Sequence, residues 1–154
     1  MSLDSNRGNT IKRLLQNGKM EEFYQTFGSF YTLSGLVIEG QKIGRTIGFP
    51  TLNLALDPVD QIIPANGVYV IRVEWNRSLF NGMANIGFRP TFQGKSLSIE
   101  AHLFDFDKVL YDEKVQLIFL KKIRDEHHFR NVEELIRQLG KDREICSLYF
   151  KNEQ

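Results

Sequence analysis

One cysteine, one tryptophan and four prolines are all that this chain of 154 residues contains of each. The lone Cys146 cannot form an internal bridge, so the chain must be held by its core and is compatible with a reducing cytoplasm. Its bland reading is a small buried apolar side chain. Charge of one sign is lacking too. Twenty Lys and Arg against 19 Asp and Glu leave a net +1, too weak a field to recruit nucleic acid or an anionic membrane. No apolar run approaches the ~20 residues that span a bilayer, and the opening MSLDSNRGNT lacks the apolar stretch of a signal peptide. The expectation is a cytoplasmic protein with neither nucleic acid nor membrane as partner. Zinc is also disfavoured: His102 has no second His or Cys at ligand spacing, and the adjacent His127 and His128 point apart.

What is present suits one compact domain. Twelve Phe and 42% hydrophobic residues can build a core without disulfides. Residues 10–27 read as helix in two pieces. Ile11, Leu14 and Leu15 recur at helical spacing, Asn17-Gly18 breaks the pattern, and Met20, Phe23, Tyr24 and Phe27 follow before Gly28 stops it. From Tyr31 the texture changes, with strand-like segments at 33–38, 51–56, 68–75, 79–86, 97–104 and 115–120. Within VYVIRVEW, Tyr69, Ile71, Val73 and Trp75 share one face, and Arg77-Ser78 supplies a tight connection to the next strand. Six short strands separated by turn signals argue for an antiparallel barrel or sandwich. The chain ends in a helix: Asn131 as N-cap, Glu133 and Glu134 in the first turn, and an apolar stripe of Val132, Leu135, Ile136 and Leu139. Gly140 interrupts that stripe, and Ile145, Leu148 and Tyr149 resume it.

Three constellations could carry chemistry. In the first, Gly40, Gly44 and Gly48 stand at four-residue spacing around Arg45, so backbone could lie close to a ligand beside a fixed positive charge. Thr51 and Asn53 follow, two apart in a strand-like segment, so their oxygens share a face and suit Mg²⁺; the bland reading is that they satisfy backbone groups at a strand end. In the second, Glu100 and His102 share a face opposite Ile99, Ala101 and Leu103. A carboxylate there could accept the proton of an attacking hydroxyl, or simply face solvent. In the third, Asn85-Ile86-Gly87-Phe88-Arg89-Pro90-Thr91-Phe92, Gly87 and Pro90 mark a bend after a strand, and Phe88 and Phe92 could close over a flat ring or belong to the core.

Taken together these runs resemble the riboflavin kinase family. GRTIGFPTLN is similar to that family's G-R-x-x-G-F-P-T-A-N signature, and the match continues through Gly67-Val68-Tyr69, NIGFRPTF, EAHLFDF, Leu110-Tyr111 and IRDEHHF to a final helix with Gln138 and Asp142. It covers about residues 31–149. The resemblance implies a mainly β fold: a six-stranded antiparallel Greek-key barrel with short N-terminal helices and a C-terminal helix. It implies an ATP:riboflavin 5′-phosphotransferase that makes FMN. ATP binding falls on Gly40, Gly44, Arg45, Gly48, Pro50, Thr51 and Asn53, with 40–48 as a flap. Mg²⁺ falls on Thr51 and Asn53, and the general base on Glu100. Flavin binding falls on Arg89, Thr91, Phe92 and Arg124, with the turn at 89–94 as a second flap. Leu52 replaces the usual alanine but points away from the Thr51/Asn53 face, Ile123 replaces leucine, and Gly140 is expected to loosen the last helix.

Residues 1–30 resemble the linker that follows an adenylyltransferase module in bacterial bifunctional enzymes, which divides the chain into a helical linker segment, 1–30, and a barrel domain, 31–154. The nucleotidyl-transfer module itself is not in this sequence, so no FAD synthesis is expected of it; in a full-length protein such a module would be an N-terminal partner. Two alternatives stand beside the kinase: a flavin-binding regulatory barrel without catalysis, and a barrel for single-stranded nucleic acid, which would need a basic aromatic groove.

Overall fold

The computed structural model describes residues 3–39 and 48–153. Residues 40–47, and with them the assignments to Gly40, Gly44 and Arg45, lie outside the described residues. Two helices, α1 (Leu3–Gln16) and α2 (Met20–Phe27), precede six strands: β1 (Tyr31–Ile38), β2 (Leu52–Leu56), β3 (Gly67–Trp75), β4 (Ser78–Thr91), β5 (Gly94–Leu103) and β6 (Lys114–Arg124). Helix α3 (Val132–Asn152) ends the chain. All pairings are antiparallel, and the strands close in the order β1-β2-β5-β4-β3-β6. Strands β3, β4 and β5 form a meander, and β2 lies beside β5 rather than β3, which is the Greek-key arrangement.

Alternation explains the core. Tyr69, Ile71 and Val73 of β3 point inward with Ala84 and Ile86 of β4, Ile99 and Ala101 of β5, and Leu117 and Phe119 of β6. Helices α1 and α2 contribute to the same cluster: Leu14, Leu15 and Met20 are at most 1% exposed. The Ala65 N–H donates to the Leu15 carbonyl at 2.9 Å, tying the helices to the loop before β3. Helix α1 begins at Leu3, earlier than its apolar spacing predicts, and runs through Gly8. Once nucleated, each added residue gains a backbone bond, which offsets the ~1 kcal/mol a helical glycine costs.

Three further differences from the sequence reading have physical causes. The β3–β4 turn is Asn76-Arg77 rather than Arg77-Ser78; both residues have positive φ, 52° and 65°, and Trp75 pairs with Ser78, the two-residue turn whose twist suits a hairpin. Gly87 and Pro90 do not bend the chain. Strand β4 continues to Thr91 beside β5, and beyond Ile86 it has no β3 partner, so the N–H missing at Pro90 costs no ladder bond on that side. Helix α3 is continuous through Gly140, and the residues it buries are Asp142, Cys146 and Phe150. Val132, Ile136, Ile145 and Leu148 stay exposed. Spacing of four puts 142, 146 and 150 on one face, and only the pairing of Asp142 lets that face turn inward. As anticipated, Asn131 caps α3 by accepting from the Glu134 N–H at 2.9 Å, and Cys146 is fully buried. Burial pushes the Cys146 thiol up to about 12, with Asp142 adding to the shift.

Candidate active site

The barrel's outer wall carries a line of polar residues set by strand register. Asn53 of β2 lies opposite Glu100 of β5, Glu100 opposite Asn85 of β4, Asn85 opposite Val68 of β3, and Val68 opposite Arg124 of β6. Directly opposed residues share a face, so Asn53, Glu100, Asn85 and Arg124 look outward together. One residue along, Leu52, Ala101, Ala84 and Tyr69 line up on the inner face and belong to the core. Leu52 thus points away from Asn53, as expected.

Helix α3 stands off this outer wall and leaves a hollow of about 210 Å³. Its polar lining includes Thr51, Asn85, Arg89, Glu100 and Arg124; its apolar lining includes Val68, Met83, Phe129, Leu135 and Leu139. A second hollow of about 100 Å³, lined by Leu52, Phe106, Lys108, Val109 and Tyr111 among others, also touches Thr51. The two therefore meet at the start of β2.

Charged contacts organise the first hollow. The Arg89 guanidinium reaches Oε1 of Glu100. Arg124 grips Asp142 from two nitrogens, Nε at 2.9 and 3.1 Å and Nη2 at 2.8 Å, and Gln138 Nε2 donates to the same carboxylate at 3.0 Å. Asp142 is fully buried, so this cluster fixes α3 against β6 at the hollow's edge. The Arg124 guanidinium also lies 5.8 Å from the centre of the Phe129 ring. His102 is 7% exposed; its Nδ1 lies 2.7 Å from the Pro50 carbonyl, and its Nε2 is buried with no partner among the described residues. Burial lowers the His102 pKa, the Pro50 bond opposes that, and Arg143 lowers it further.

Of the residues singled out from sequence, Thr51, Arg89, Glu100, His102 and Arg124 line the first hollow. Asn53 lies in the same outward line at 9% exposure, Pro50 lines the second hollow, and Gly48 adopts φ 87° before it. Thr91 and Phe92 sit away from both, at the tip of the β4–β5 hairpin, and Phe92 is fully exposed. Sequence reasoning placed Asn85 in its third constellation but gave no role to it, though its Oδ1 is buried without a partner among the described residues, and it missed the apolar wall from Phe129, Leu135 and Leu139. The signal for Asn85 was its place in the β4 alternation, two residues from Gly87 on the outward face. The Glu126 carboxylate lies against Gly87, in the space a Cβ there would take.

The riboflavin kinase (flavokinase) family model matches residues 27–150. The chain belongs to the riboflavin kinase family. A bifunctional riboflavin kinase/FMN adenylyltransferase of Bacillus subtilis is 41% identical over 145 residues, 92% of this chain and 46% of the relative. The chain spans about half the length of the curated relatives it matches. Among solved structures, a Streptococcus pneumoniae protein titled a macrolide-efflux protein superposes with a TM-score of 0.84 at 36% identity, covering 90% of this chain and 45% of that one. The riboflavin kinase of Trypanosoma brucei superposes with a TM-score of 0.53 at 22% identity over 78% of this chain and 79% of that one, a likeness of fold. The family and the closed six-stranded barrel agree with what the resemblance implied, an enzyme on a six-stranded barrel. Among the described residues no helix is long and apolar enough to cross a membrane.

Proposed function

We propose that this chain transfers the γ-phosphoryl group of ATP to the 5′-hydroxyl of riboflavin, giving FMN and ADP. The observation that carries this reading is the meeting of two unlike hollows at Thr51, with Glu100 in the wall of the larger. The larger, walled by Phe129, Leu135 and Leu139, suits a flat apolar ring system; the smaller, with Tyr111, Phe106 and Lys108, suits a nucleobase and its phosphates. The thirty N-terminal residues serve as the helical lead-in to a catalytic barrel spanning 31–154, and the protein works in the cytosol.

Phosphoryl transfer asks a protein mainly for positioning and charge neutralisation. In the reaction the ribityl hydroxyl oxygen forms a bond to the γ-phosphorus, the bond from that phosphorus to the bridging oxygen breaks, and the hydroxyl proton passes to Glu100. Arg89 meets Oε1 of that carboxylate and holds it in the wall of the hollow. Leu135 and Leu139 of α3 keep water from the ring side of the hollow, so the hydroxyl competes with little solvent for the phosphoryl group.

The residues at the start of β2 fit a magnesium ion. Asn53 offers a neutral oxygen in the line that also holds the unpartnered Asn85 Oδ1, Thr51 offers a second just before β2, and among the described residues no cluster of three His, Cys, Asp or Glu competes for a softer metal. Thr51 and Asn53 would hold it, and bound there it would neutralise phosphate charge. A chromatographic assay of riboflavin with Mg-ATP tests the reading: FMN and ADP should form in equal amounts. Riboflavin that binds without conversion would make the barrel a flavin sensor instead.

A further inference from the structure

The ladder between β2 and β5 is short. Its pairs are Asn53 with Glu100 and Leu52 with Ala101; the same register carried back one step would set Thr51 against His102, where no pairing forms. Residues 49–51 therefore leave the sheet just where the two hollows meet. What holds them there is a side chain. His102 stands two residues from Glu100 on the same face of β5, and its Nδ1 lies 2.7 Å from the carbonyl of Pro50. A carbonyl can only accept, so Nδ1 carries the proton and donates. The ring also lies 5.4 Å from Phe49 and 5.7 Å from Phe104, centre to centre.

The other ring nitrogen argues against a purely structural role. Nε2 is buried and unpartnered among the described residues, an arrangement that costs stability and that a phenylalanine in the same aromatic surroundings would avoid. We infer that His102 is a positioning residue: through its Nδ1–H bond to Pro50 it sets Thr51 at the nucleotide end of the site and ties it to the strand that carries Glu100. This rests on the kinase reading above.

Three variants separate this role from packing. His102→Phe keeps a ring and loses the donor. His102→Asn places an amide nitrogen near the Nδ1 position, and His102→Gln places one near Nε2. The readouts are Mg-ADP binding by calorimetry, riboflavin binding by fluorescence without nucleotide, and Tm. One hydrogen bond used for positioning corresponds to roughly tenfold in affinity. His102 also borders the larger hollow, so His102→Phe should bind Mg-ADP about tenfold more weakly with a clearly smaller loss of riboflavin affinity and Tm held, His102→Asn should recover most of the Mg-ADP loss, and His102→Gln should not. Mg-ADP affinity unchanged in His102→Phe, or equal losses for both ligands in all three variants, would overturn the role. If His102→Phe does not fold, the contrast of Asn with Gln decides alone, and equal behaviour of those two would overturn it. Wild type that binds Mg-ADP but never converts riboflavin would sink the kinase reading and leave the positioning test standing.

Discussion

The two faces of one wall, β2-β5-β4-β3, differ by a single step along each strand and share almost nothing chemically. Inside, Leu52, Ala101, Ala84 and Tyr69 pack into a core that α1 and α2 complete. Outside, Asn53, Glu100 and Asn85 stand in line, with an ion pair, an unpartnered amide oxygen and a buried histidine around them. The inner face gains from every apolar group removed from water. The outer face carries groups that each cost something to hold, and that cost is sustained by the core behind it. Stability and chemistry are thus assigned to alternate residues of the same strands, which predicts that they can be damaged separately.

The sharpest separation is expected at Glu100. Glu100→Gln should lower turnover by about 10²–10⁴-fold, the usual worth of a general base, while thermal denaturation shows little change. On the inner face Phe119, fully buried against Tyr69 at 5.2 Å between ring centres, should behave in the opposite way. Phe119→Ala should cost about 3–5 kcal/mol in urea unfolding, while the molecules still folded keep their affinity for riboflavin. Asp142 joins the two regions, because it seats α3 and borders the hollow. Asp142→Ala removes the buried partner of Arg124 and should cost about 3 kcal/mol in unfolding as well as weakening riboflavin binding. The smallest effect is expected at Asn53: Asn53→Ala should weaken Mg-ADP about tenfold in calorimetry and leave riboflavin nearly untouched. Equal weakening of both ligands there would erase the distinction between the two hollows.

Much of this division was legible in the sequence. Period-two alternation in VYVIRVEW and in IEAHL separates core from site without any structure, and the ordered motifs that resemble riboflavin kinases named Thr51, Asn53, Glu100 and Arg124. The final helix misled because its exposed Val132, Ile136, Ile145 and Leu148 look like a buried stripe, whereas the face it buries includes Asp142. A charged residue reads as surface unless its partner is known, and Arg124 lies 18 positions away. The β4–β5 hairpin misled as well. Gly87 reads as a bend, but β4 runs on through it beside β5 to Thr91. Asn85 and His102 escaped assignment because each is defined by the nitrogen or oxygen it leaves unpaired, a property of the folded surroundings and not of the local sequence.

The most direct test compares wild type with Glu100→Gln in one chromatographic assay of riboflavin and Mg-ATP, with Tm measured on the same samples. FMN formed by wild type and lost by about 10²-fold or more in the variant, at unchanged Tm, is the predicted result. A variant that makes FMN at near the wild-type rate would contradict the placement of the chemistry on the outer face at Glu100.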